Sequence, residues 1–307
     1  PRLVTVQTPG GTGALRLVAD FLQRQSPDAT VWIPDPTWVN HPKICEAVGL
    51  PTRTYPYLDD GRRRLSFQRL LLTLTSAQPG DVVLLHGCCH NPSGIDPTTE
   101  QWQQLAELLQ ERQAVPLVDF AYLGFGQGLS EDRVGIVTLA ETLPEVFVCT
   151  SFSKNFALYN ERVGALTVVT PTPDTAATVL SQLKSTARVN YSNPPAHGAA
   201  IVSNIMSNRE MTDQWLDELE SMRRRIIGMR QLFVAGLDER GVKLAADGND
   251  FLLDQHGMFS FSGLQPSQIE RLRDEHSIYI VGSGRVNFAS MTTASMKYLC
   301  DAIAQVA

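Results

Sequence analysis

Short apolar runs rich in β-branched residues recur along the chain, each closed by a polar or glycine-bearing turn and followed by a longer amphipathic stretch. Residues 31–33, 81–86, 115–119, 146–150 and 163–169 read as strands. In the longer runs the apolar positions are continuous instead of alternating, as in strands buried on both faces. Periodic stretches predict helices from the glycines at 10–13 to about Arg24, over 101–113 and over 173–187. Strands alternating with helices imply an α/β architecture, a mostly parallel sheet flanked by helices. From Thr212 to about Gly236 a long helix rich in Glu and Arg reads as a connector. Beyond it the elements shorten to 257–261, 266–275, 277–281, 285–288 and a final helix, with 277–281 expected as a strand. This predicts a large domain over residues 1–220 and part of a smaller α+β domain over 221–307.

Composition narrows the classes. A chain of 307 residues, 43% hydrophobic, can bury a sizeable core. Its net charge of -6 and scattered Lys and Arg give no basic stripe for nucleic acid or an anionic membrane. No apolar run reaches the roughly 18 residues of a membrane span. Five cysteines, odd in number and mostly inside apolar runs, fit reduced thiols in the cytoplasm better than a disulfide framework.

The candidate chemistry sits at strand ends. The run 146–150 closes on Ser151-Phe152-Ser153-Lys154-Asn155, with Arg162 eight residues beyond the lysine. Carboxyl ends of strands are where open α/β sheets bind ligands. Lys154 reads either as a solvated surface lysine or as an amine held in a desolvated pocket, forming a Schiff base with pyridoxal phosphate. Asp119 ends another apolar strand, where an unpaired carboxylate is costly. It is either a helix cap or the partner of a protonated ring nitrogen. The glycines at 10–13 open a helix whose free N–H groups favour a phosphate, although such turns are common. Trp38 is either core packing or a surface on which a ring stacks. Cys88, Cys89 and the histidines around them invite a metal, but adjacent cysteines on an extended chain point to opposite faces and no second ligand pair follows. No metal is therefore expected.

Nine motifs then occur in one order: Gly-Gly-Thr-Gly-Ala-Leu (10–15), Asp-Pro-Thr-Trp-Val-Asn-His (35–41), His-Gly-Cys-Cys-His-Asn-Pro-Ser-Gly (86–94), Asp-Phe-Ala-Tyr (119–122), Ser-Phe-Ser-Lys-Asn-Phe (151–156), Asn-Glu-Arg-Val-Gly (160–164), Asn-Tyr-Ser-Asn-Pro-Pro (190–195), Gly-Met-Phe-Ser-Phe (257–261) and Ser-Gly-Arg-Val-Asn (283–287). Together they resemble the aspartate/aromatic aminotransferase family, pyridoxal-phosphate enzymes of fold type I. The resemblance implies that Lys154 is the Schiff-base lysine and proton shuttle, and that Asp119, supported by His41, holds the proton on the pyridine nitrogen. Asn91 and Tyr122 would bond the ring's phenolic oxygen, Trp38 would stack on the ring, and Gly11, Thr12, Ser151, Ser153 and Arg162 would hold the phosphate. Arg285 would clamp the substrate's α-carboxylate. Arg188, with Ser192 nearby, would reach across a homodimer to a side-chain carboxylate. The implied activity is ping-pong exchange of an amino group between aspartate and 2-oxoglutarate, with pyridoxal 5'-phosphate as cofactor.

The motif spelling leans to the aspartate type over the aromatic type. Family features that lie N-terminal to these motifs are not in the sequence, so a cofactor-binding fragment that turns over poorly is the competing expectation. A dinucleotide-binding dehydrogenase is a weaker rival, because G-x-G-x-x-G is absent.

Overall fold

A computed structural model describes residues 1–307. Seven strands form one sheet: β1 (Leu3–Pro9), β2 (Val31–Asp35), β3 (Thr52–Pro56), β4 (Val82–His86), β5 (Val115–Phe120), β6 (Val146–Ser151) and β7 (Val163–Val169), in the order β1-β7-β6-β5-β4-β2-β3. The run from β6 to β3 is parallel, and β7 lies antiparallel to both β6 and β1. The sheet is therefore mostly parallel, as its continuous apolar runs imply. The sequence pattern did not mark β3 as a strand, because β3 is an edge whose first three residues face solvent and carry no apolar run.

Each central strand feeds two cores. Leu84 of β4, Leu117 of β5 and Cys149 of β6 pack against Leu17 and Val18 of the helix Gly10–Gln25 and against Leu183 of the helix Pro173–Asn190. Their neighbours Val83, Leu85, Val118 and Val148 point the other way, onto Leu105 and Leu109 of the helix Thr99–Arg112 and onto Leu139. That second core continues into Phe233, Phe288 and Ile303 near the C-terminus. Burying one such leucine contributes about 1.5–3 kcal/mol. Thr98 starts the helix Thr99–Arg112 by accepting from the Gln101 N–H, while the Gln101 side chain accepts from the Thr98 N–H.

The helix Arg209–Asp238 runs unbroken through residue 220, where the sequence pattern divides the chain. Beyond it a two-stranded antiparallel sheet, β8 (Phe259–Phe261) with β9 (Arg285–Asn287), is covered by the helices Pro266–His276 and Thr293–Val306. The strand expected at 277–281 does not form. Ile278 and Ile280 turn towards the core while Tyr279 and Val281 face out, yet no neighbouring strand offers them a ladder. Alternation sets the side chains, but a strand also needs a hydrogen-bonded partner. No helix is long and apolar enough to cross a membrane.

Because β1, β4, β5 and β6 point the same way, Pro9, His86, Phe120 and Ser151 all end at one edge of the sheet. The functional side chains gather there.

Candidate active site

A cavity of about 430 Å³ opens at that edge, lined among others by Trp38, Asn91, Asp119, Tyr122, Lys154 and Arg285. Its floor follows from strand register. β4 and β5 pair His86 with Asp119, and β5 and β6 pair Asp119 with Cys149, so the carboxylate is fixed mid-sheet and buried. The His41 Nε2 lies 2.9 Å from Asp119 Oδ2, and Thr37 Oγ1 bridges His41 Nδ1 at 2.7 Å to His86 Nε2 at 3.0 Å. Thr37 has a single hydroxyl proton. With His41 Nε2 donating to the carboxylate, that proton goes to His41 Nδ1, and His86 Nε2–H donates to Thr37. Burial alone would raise the Asp119 pKa. The His41 hydrogen bond, helped by the electrostatics of the neighbouring His41 and His86 rings and of Lys154, outweighs it, so the carboxyl is held below the ordinary aspartate range. His86 is pushed down to about 3, by burial first and then by His41, and stays neutral.

Lys154 follows directly from the end of β6. Its Nζ lies 4.9 Å from the centroid of the Tyr122 ring and 5.6 Å from that of Tyr159. Burial is the main cause that lowers its pKa; Arg162 adds to the effect and Asp119 opposes it. Tyr122 Oη accepts from Asn91 Nδ2 at 3.4 Å, and Asn91 Oδ1 in turn accepts from Arg285 Nη1 at 3.2 Å. Arg285 is carried by β9 and rests over the Phe259 ring of β8, 4.5 Å from its centroid.

At the other end of the cavity the helix Gly10–Gln25 presents its N-terminus beside Ser151, Ser153 and Arg162. Gly10 has φ +76°, and a Cβ there would run into the Arg162 guanidinium. A Cβ on Gly11 would lie 2.9 Å from Ser151 Cβ. The glycines thus let the backbone amides and the arginine approach one point closely. Arg162 itself sits at φ +55°, a left-handed conformation uncommon for a side-chain-bearing residue and often kept for function. Lys154, Arg162 and Arg285 against Asp119 leave the cavity cationic, suited to an anionic ligand.

Of the residues named from sequence, Gly11, Thr12, Trp38, Asn91, Asp119, Tyr122, Ser151, Ser153, Lys154, Arg162 and Arg285 line this one cavity. His41 lies behind it, on Asp119. Arg188 and Ser192 do not reach it: both are exposed, and Arg188 makes no ion pair within the chain. Tyr159, Met258, Phe259 and Asn287 also line the cavity and were missed. Position could have suggested Tyr159, which lies between Lys154 and Arg162, and Met258, Phe259 and Asn287, which fall inside motifs already noted. The premise set against a metal also fails locally. Cys89 has φ +51°, so the chain is not extended there and the two adjacent thiols do not point apart.

A doubly flanked, mostly parallel sheet with a desolvated lysine, a buried aspartate and an anion cradle at its carboxyl edge defines an enzyme that works through a bound phosphate-bearing cofactor. Residues 2–303 match the family model for aminotransferases of class I and II. The chain belongs to that family. It is 53% identical over 305 residues to the aspartate aminotransferase of Salmonella typhi, covering 99% of this chain and 76% of that protein. It is 52% identical over the same span to the aspartate aminotransferase of Escherichia coli K12. Its fold superposes with a TM-score of 0.96, at 44% identity and over 99% of this chain and 76% of the other, on the aromatic-amino-acid aminotransferase of Burkholderia pseudomallei, whose crystal structure is covalently bound to pyridoxal phosphate.

Proposed function

We propose that this chain exchanges an amino group between aspartate and 2-oxoglutarate with pyridoxal 5'-phosphate as cofactor. The observation that carries this is the convergence of Lys154, Asp119 and the Gly11–Ser151–Arg162 cradle on one cationic cavity. The residues fit the cofactor: a cradle that a single Cβ would fill suits a phosphate, and a buried carboxylate held ionised by His41 suits a protonated ring nitrogen. Gly11, Thr12, Ser151, Ser153 and Arg162 would hold the phosphate, Trp38 the ring face, Asn91 and Tyr122 the phenolic oxygen, and Lys154 the carbonyl carbon. When bound, the cofactor supplies an electrophilic carbonyl and a cationic ring that withdraws electrons from the carbon carrying the amine.

The chain's own residues do the rest. Asp119 keeps the ring-nitrogen proton in place, and His41 keeps Asp119 ionised and oriented. Lys154 Nζ, its pKa lowered by burial, gives up its proton more readily than an exposed lysine and moves the proton from the substrate's α-carbon. Arg285 binds the α-carboxylate as a planar fork, placing that carbon near Lys154. Arg188 of one subunit completes the site of a second copy by binding the side-chain carboxylate, which accounts for a guanidinium left unpaired on its own surface. The identities of 53% and 52% to aspartate enzymes, against 44% to an aromatic one, support aspartate. Five free, buried cysteines support a reducing compartment, the cytoplasm.

The test is the absorbance spectrum of the protein loaded with pyridoxal phosphate, before and after aspartate or phenylalanine, together with turnover against 2-oxoglutarate. Aspartate should shift the cofactor band and be turned over with the higher kcat/KM. A higher kcat/KM for phenylalanine would establish the aromatic type. A band that neither amino acid moves would overturn the reading.

A further inference from the structure

On the face of the 87–94 turn away from the catalytic cavity, the Cys88 and Cys89 sulfurs and a carboxylate oxygen of Asp132 all lie within 4.8 Å of one another. All three residues are buried. The arrangement depends on Cys89 at φ +51°, which breaks the strand-like alternation and turns both thiols to one side. Asp132 is anchored independently: its Oδ2 accepts from the N–H groups of Gly124 and Gly126 at 2.8 and 3.0 Å, and its Oδ1 from Gln127 at 2.8 Å. Oδ1 also accepts from the Gly128 N–H at 3.4 Å, so each oxygen carries two bonds, and this longest one is the bond a cation displaces. Cys88 and Asp132 also line a second cavity, of about 480 Å³, whose wall carries Asp96, Glu100, Glu131, Asp254 and His256. Leaving aside Asp96, whose carboxyl burial pushes up to about 7, the carboxylates of Glu100, Glu131, Asp132 and Asp254 surround one opening and concentrate divalent cations at its mouth.

We propose that Cys88, Cys89 and Asp132 bind a soft divalent d10 cation of the zinc and cadmium class, entering through this acidic cavity. Thiolates select such ions over magnesium or calcium, and a tetrahedral ion with metal–sulfur bonds of about 2.3 Å sets its ligands roughly 3.8 Å apart, a spacing that fits within the observed cluster. On binding, each thiol forms a sulfur–metal bond and releases its proton to solvent. Asp132 Oδ1 gives up its 3.4 Å bond from Gly128 and donates the freed lone pair, a water completes the fourth position, and no oxidation state changes. Two residues beyond Cys89, Asn91 bonds both Tyr122 and Arg285, and a Cβ on Gly257 would lie 2.9 Å from Cys89 Sγ, with Met258 and Phe259 of the catalytic cavity next in sequence. Drawing the ligands from separations of up to 4.8 Å to about 3.8 Å pulls on the turn that carries Asn91, and turnover falls.

The holoenzyme is titrated with cadmium ion, following the ultraviolet sulfur-to-metal charge-transfer band, proton release and turnover. The expected result is one ion per chain, two protons released and a loss of turnover that chelator reverses. Cys88→Ser and Cys89→Ser should each weaken binding by at least about tenfold, the lower end of what even outer-sphere substitutions cost a metal site. Two outcomes overturn the site: a band that survives in the Cys88→Ser/Cys89→Ser double variant, which places the ion on Cys45, Cys149 or Cys300, and binding without a band or no binding at all.

Discussion

Replacing Asp119 by Asn removes one charge and little else. The side chain keeps its volume, and its carbonyl oxygen can still accept from His41 Nε2, which stands 2.9 Å away, so the sheet edge should fold unchanged. What is lost is the buried anion that, in the proposed function, faces the ring nitrogen. Breaking a buried ion pair by removing one partner costs about 3–5 kcal/mol. At about 1.36 kcal/mol per decade this is about two to four orders of magnitude in rate, because the pair matters most where the ring takes up electrons. Asp119→Glu retains the charge and should lose far less. His41→Leu leaves the carboxylate but removes a hydrogen bond to a charged group, worth about 1.5–3 kcal/mol, and so about one to two orders of magnitude. The assay is stopped-flow single turnover with saturating aspartate, following the cofactor band, with cofactor content measured for each variant. The reasoning fails if Asp119→Asn, fully loaded, stays within about tenfold of the parent. It also fails if His41→Leu loses as much as Asp119→Asn.

Lys154→Ala should retain the fold and abolish turnover, and borohydride reduction of the loaded parent should fix the cofactor to Lys154; mass spectrometry finding the label on Lys184 or Lys297 would show that the lysine is misassigned. Arg188→Ala should cost aspartate about 2–5 kcal/mol in kcat/KM, the scale for stranding a charge of a buried pair, and phenylalanine far less; equal losses would make Arg188 structural. Asp96 accepts from the backbone N–H groups of Cys89 and His90, at 2.7 and 2.9 Å, yet burial raises its pKa from 3.8 to about 7. Between those values the folded carboxyl keeps a proton that the unfolded one has lost, so this contribution is full below pH 3.8 and disappears as pH rises through about 7. Its upper bound is about 4 kcal/mol, reduced by the solvent that reaches the partly exposed side chain. Urea midpoints across that range should fall less steeply with pH in Asp96→Asn than in the parent, and parallel curves would remove Asp96 from the account.

Much of this molecule is legible in one dimension. Continuous apolar runs specify the buried strands β4 to β7, because a strand covered on both faces has no polar positions to spare. Ordered motifs at their ends named the lysine, the aspartate and the cradle, because chemistry at a sheet edge needs particular residue types where strands stop. What the pattern could not carry was anything set by a neighbour. β3 forms because β2 pairs with it, not because its residues are apolar, and the run at 277–281 alternates correctly yet stays unpaired. Tyr159 and Met258 enter the cavity only when the chain after Lys154 and the strand pair near the C-terminus close over the sheet. The turn at Cys89 reverses the facing of a thiol through one backbone angle. Periodicity records which side of its own element a residue faces, whereas pairing, lining and ligation depend on residues far away in sequence, and these only the tertiary structure brings together.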